Sequence, residues 1–166
     1  MEVKPPFLLN RRFKEVEGLR CDMQPANALA EERIQAFIDD VSVMKLKPSH
    51  LMWYQVDVAN LVQATSIVHH EVSPASGECL LFLEKSLVWC SPKTGKIQHH
   101  PKHLIHCFVD DYRLGERKPG DPLIRGELFS ITPQNEQLCW LLESNDEQDL
   151  PLIQEKVSNW MAWLNR

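Results

Sequence analysis

The sequence predicts an α+β chain: an antiparallel, bent sheet or partly open barrel capped by a C-terminal helix, with a further helix near the N-terminus. Three observations carry this. Two apolar runs, Cys79–Leu83 and Leu87–Cys90, are separated only by Glu84, Lys85 and Ser86 and followed by the turn-forming Ser-Pro-Lys-Thr-Gly, which is the pattern of a hairpin. LFSITP and QLCWLLES, joined across Gln134-Asn135-Glu136, repeat the pattern. The segment SNDEQDLPLIQEKVSNWMAWLNR closes the chain with apolar residues at helical spacing. Connections between the strands are too short for parallel crossovers, which need about a dozen residues.

In chain order, residues 1–24 hold Pro5-Pro6 and the basic residues Lys4, Arg11, Arg12, Lys14 and Arg20, and read as a partly extended leader with a short element at Phe7–Val16. In PANALAEERIQAFIDDVSVM, the residues Ala30, Ile34, Phe37, Ile38 and Val41 share one helical face, predicting a helix over about 26–44. Its end is marked by KLKPSH, because the residue before Pro48 disfavours helical geometry. LMWYQVDV alternates as Trp53, Gln55, Asp57 against Tyr54, Val56, Val58, which predicts a half-buried strand. NLVQATSIVHHEV is rich in β-branched residues and reads as another strand, with a helix over Val58–Val68 as the competitor.

After the first hairpin, KIQHHPKHLIHCFVDDY supplies one or two strands, with Pro101 confined to an edge or a break. RLGERKPGDPLIRG is a loop. The terminal helix has two candidate caps: Ser144 with Glu147 at capping-box spacing, or Asp149 before Leu150-Pro151. Its buried stripe is expected to be Ile153, Val157, Trp160, Met161 and Leu164. The organisation is then a leader and helix over 1–48 and an antiparallel β domain with its helix over 49–166.

Composition bounds the function. The chain has 166 residues with 43% hydrophobic and 25% charged, an ordinary globular balance. A formal net charge of −5 argues against a nucleic-acid partner, whose footprint is basic. No apolar run reaches the roughly 18 residues of a membrane span, and the N-terminus lacks the apolar core of a secretory signal. Five scattered cysteines (Cys21, Cys79, Cys90, Cys107, Cys139) without a CxxC pair suit a reducing, cytoplasmic setting.

The second half resembles a pleckstrin-homology-type domain. ECLLFLEKSLVWCSP is similar to the second and third strands of such domains in Rho-family exchange factors, LFSITPQNEQLCWLLES to the fifth and sixth, and KVSNWMAWLNR, with Trp160, to the closing helix. The resemblance spans about residues 50–166. It implies a helix covering one end of a bent sheet with a tryptophan filling the gap. The loop HHEVSPASGE, where inositide-binding members carry basic residues, has no Lys or Arg, so tight inositide binding is not expected. The residues upstream are too few for a catalytic exchange domain, so that activity is not expected either.

Candidate chemistry is sparse. His99, His100, His103 and His106 fall within eight residues and could serve a metal-dependent enzyme, but Pro101 interrupts them and a strand would set His99 and His103 about 13 Å apart. There is no GxSxG, GxxxxGKS or GxGxxG. The chain therefore reads as a non-enzymatic, cytoplasmic protein-interaction or adaptor module without cofactor or metal. A small acidic chaperone or adaptor of a bacterial secretion or assembly system is the alternative, with the histidine-cluster enzyme behind it. The expected contacts lie at a sheet edge or beside the terminal helix. The candidate residues are Trp53 and Trp163 as aromatic anchors, with Arg113, Arg117, Lys118 and Arg125 as a basic loop able to meet an acidic protein or, weakly, an anionic membrane.

Overall fold

The structure, a computed structural model, describes residues 25–62, 67–111, 115, 118–120 and 122–166. It is α+β, with two antiparallel sheets, a helix preceding them and a helix at the C-terminus. The described residues fall into two compact units divided between Gln98 and His99. The leader 1–24 lies outside the described residues.

In the first unit, α1 (Pro25–Ser42) turns Ile34, Phe37, Ile38 and Val41 inward, as their spacing predicts. The helix is followed by α2 (Pro48–Trp53), a single π-helical turn over Tyr54–Val58, and α3 (Ala59–Val62). The strand expected over LMWYQVDV is therefore helical. Pro48 opens it at the first turn, where a missing N–H costs nothing. Tyr54, Val58, Ala59 and Val62 then bury one helical stripe, which outweighs the short run of alternation. Within NLVQATSIVHHEV the first three residues are helical, as the competing reading of Val58–Val68 has it, residues 63–66 lie outside the described residues, and the expected strand is found at β1 (His69–Val72).

β1, β2 (Cys79–Phe82), β3 (Ser86–Ser91) and β4 (Lys96–Pro101) form the first sheet in sequential order. The hairpin is closed by the Leu83 N–H donating to the Ser86 carbonyl at 2.9 Å across Glu84-Lys85. Cys79, Leu81, Val88 and Cys90 share one core with the α1 stripe, Tyr54 and Val58. His70 ties β1 to α1: its Nε2 lies 2.5 Å from Asp40 Oδ2, and its ring meets Phe37 edge-on at 5.7 Å. Gly77, in the β1–β2 connection, has φ +74°, and its carbonyl accepts the Tyr54 hydroxyl at 2.6 Å, so the π turn anchors that loop.

In the second unit, a 3₁₀ turn over Lys102–Leu104 follows Pro101 and leads into β5 (His106–Asp111). β6 (Ile124–Ile131) and β7 (Gln137–Ser144) complete a three-stranded antiparallel sheet in the order β5-β6-β7. Asn135, at φ +62°, takes the left-handed position of the three-residue β6–β7 turn, where Asn is tolerated. α4 (Leu150–Leu164) packs Leu150, Ile153, Val157, Trp160 and Trp163 inward. Met161, expected in that stripe, is 46% exposed, and Trp163 takes its place. Three residues on from Trp160 is 60° off its direction, whereas one residue on is 100° off. At the start of the helix, Asp146 accepts the Gln148 N–H at 2.9 Å, and Ser144 donates its hydroxyl to the Asp149 carboxylate. Asp149 takes the expected N-cap position with Pro151 in the first turn but makes no side-chain capping bond, and the Ser144–Glu147 capping box does not form.

Candidate functional site

The second sheet has two unlike faces. Strand alternation sends Ile124, Gly126, Leu128 and Ser130 of β6 and Leu138 and Trp140 of β7 to the covered face. α4 lies so close there that a Cβ on Gly126 would stand 2.8 Å from Val157 Cγ2 and 3.2 Å from Trp160 Cζ3. The opposite face carries three cross-strand rows fixed by the register: His106, Phe129 and Cys139; Phe108, Glu127 and Leu141; Asp110, Arg125 and Glu143.

Across the middle row of this outer face two apolar residues flank Glu127, and the row at one end carries Asp110 and Glu143. Phe108 is 53% exposed and Leu141 41%. The His106 and Phe108 rings lie nearly parallel with centroids 6.3 Å apart. Arg125 reaches Glu127 at 3.4 Å, and the register sets it between Asp110 and Glu143 in the row at that end. The Cys139 thiol donates to Glu127 at 3.5 Å, and burial followed by that carboxylate holds its pKa above the ordinary thiol value.

β5 bounds this face as an edge strand, and every residue on it except Cys107 is exposed. In an antiparallel ladder, residues alternately turn their backbone groups to one neighbour and the other. The Thr132 N–H donates to the Glu136 carbonyl at 2.9 Å, which turns even-numbered β6 residues to β7 and odd-numbered ones to β5. The unbroken β5–β6 register then pairs His106, Phe108 and Asp110 with β6. Cys107 and Val109 direct their N–H and C=O groups outward, where no strand lies among the described residues.

The residues expected from sequence do not converge. Trp53 is half-buried against Tyr54, ring centroids 5.0 Å apart, in the first unit. Trp163 is 2% exposed, with the Lys102 ammonium 4.9 Å from its ring centroid, so it is a core residue and not a surface anchor. Arg113 and Arg117 lie outside the described residues. Lys118 is exposed, and Arg125 is half-buried on the outer face and paired with Glu127.

The histidines are also dispersed. His99, His103 and His106 are exposed on β4, the 3₁₀ turn and β5, and no three potential ligands gather into a metal cluster among the described residues. His100 is fully buried, its Nδ1 3.0 Å from the Ser130 hydroxyl, and burial lowers its pKa. Ser130 is fully buried as well, so this serine–histidine pair is closed to a substrate. A cleft of about 200 Å³ lined by Gly120, Pro122, Glu143, Ser144 and Asn145 is smaller than the roughly 300–1,000 Å³ of ligand pockets and offers one titratable group.

Sequence reading missed the outer face. The signal was present in HCFVDD and QLCWLLES, where alternation places Phe108 and Leu141 opposite the residues that α4 covers. No family model, curated protein or solved structure matches the chain.

Proposed function

We propose that the chain is a non-enzymatic protein-interaction module with a pleckstrin-homology-like β domain, acting in the cytoplasm through the β5 side of its three-stranded sheet. The observation that carries the reading is the exposure of Phe108, on the edge strand, and of Leu141, on the same face across Glu127. Exposed aromatic and aliphatic side chains on a rigid sheet lose little entropy when a partner covers them. The flanking Asp110, Glu127 and Glu143 suit a partner segment that pairs an apolar anchor with Lys or Arg.

Antiparallel sheet followed by a C-terminal helix that buries Trp160 is what the pleckstrin-homology resemblance implies, and it supports that reading, although the hairpin matched to the family's fifth and sixth strands is here β6 and β7. The facing but unbonded Cys79 and Cys90 suit a reducing compartment. No helix among the described residues is long and apolar enough to cross a membrane.

The test is affinity capture with the full chain and with a Phe108→Asp/Leu141→Asp variant that keeps its cooperative melt. A protein retained by the wild type and lost from the variant supports the reading. Equal retention by both overturns it.

A further inference from the structure

We infer that the outward edge of β5 pairs with β5 of a second copy of this chain, antiparallel and centred on Phe108, joining two three-stranded sheets into one of six strands. The inference shares β5 with the module reading but stands on the strand's own register and charge.

Backbone comes first. Cys107 and Val109 present their N–H and C=O groups away from β6, spaced as one side of a ladder. A twofold axis perpendicular to the sheet keeps the two outer faces on one side, so opposed residues share parity. With Phe108 on the axis, Cys107 stands opposite Val109 of the second copy and Val109 opposite its Cys107. Both are outward-directed, so the four bonds of a short ladder form without disturbing the pairing to β6.

Side chains select this arrangement. Phe108 meets Phe108 of the second copy at a non-hydrogen-bonded position, where cross-strand side chains lie closest. The exposed histidines His103 and His106 lie at one end of the strand and the exposed Asp110 and Asp111 at the other. Antiparallel addition sets unlike ends together and places His106 opposite Asp110 twice. Parallel addition would stack the carboxylates. The strand is thus self-complementary, as an isologous contact requires. It lacks the Lys, Pro or bulge with which exposed edges are commonly blocked. With six residues a side, the seam falls short of the ~1,600 Å² of stable interfaces, so the dimer is reversible at micromolar concentration.

Sedimentation of the full chain from low to high micromolar concentration tests this. Expected is a monomer–dimer equilibrium. Val109→Pro removes one outward N–H without touching the β5–β6 ladder and should weaken dimerisation by about tenfold or more while the melt stays cooperative. H106D, which sets like charges opposite, should weaken it too, and the exchange H106D/D110H should restore it. A monomer at every concentration overturns the inference, as does a dimer indifferent to both Val109→Pro and Phe108→Asp. A monomer that still captures a protein through Phe108 and Leu141 overturns the dimer alone. A β5-seamed dimer that captures nothing overturns the module reading alone.

Discussion

Gly126→Ala is the sharpest probe of how α4 meets the sheet. The added methyl would lie 2.8 Å from Val157 Cγ2 and 3.2 Å from the Trp160 ring, against the roughly 3.5–4.0 Å of a relaxed carbon contact. Relief requires a shift of about 0.7–1.2 Å at Val157. Neither neighbour yields easily: valine is stiff at χ1, and Trp160 is fully buried. Overpacking of this kind costs about 1–3 kcal/mol. Urea unfolding followed by Trp fluorescence should show a lower midpoint with an unchanged slope. Val157→Ala removes the clashing methyl, so the double variant should recover part of the loss, a coupling that contacting residues show and distant ones do not. A neutral Gly126→Ala, or strict additivity with Val157→Ala, would refute the packing.

Tyr54→Phe deletes the hydroxyl donated to the Gly77 carbonyl and should destabilise the protein by about 1–3 kcal/mol; an unchanged urea midpoint would contradict the anchor. Burial pushes the Cys79 thiol up to about 12 and the Cys90 thiol higher still, so both should resist alkylation until the protein unfolds. Among the cysteines of the described residues, the exposed Cys139 should be modified first, and peptide mass spectrometry showing equal native rates at Cys139, Cys79 and Cys90 would refute the buried pair. Burial lowers the His100 pKa, so the unfolded chain takes up the proton more readily than the native one. The neutral histidine's contribution is intact above the unfolded value of about 6.5 and is lost as pH falls below it. Between about pH 7.5 and 5.5 the stability of His100→Asn should fall less steeply than that of the wild type; parallel profiles would contradict the assignment.

Much of this fold is legible in the sequence because local signals and burial agree. The two hairpins carry alternation and turn residues together, and the α1 stripe of Ile34, Phe37, Ile38 and Val41 is both periodic and buried. Failure came where two periods fit the same residues. Tyr54 and Val58 are an even number apart, as one strand face requires, and also four apart, as a helix face requires; the core they share with α1 and β2 chose the helix. Trp163 was misplaced for a related reason, since a wide helical stripe admits residues on either side of Trp160 and the sheet beneath decides which. The candidate surface was harder to find. Exposure of Phe108 depends on the order of strands, and β5 is an edge only because β6 and β7 pair with each other and no strand among the described residues lies beyond it.

Amide hydrogen exchange resolved by residue tests that edge directly in dilute protein. Slow exchange is expected at Phe108 and Asp110, which bond to β6, and fast exchange at Cys107 and Val109, which become protected as concentration rises. Cys107 and Val109 protected in the dilute monomer, or a reversed alternation along β5, would contradict it.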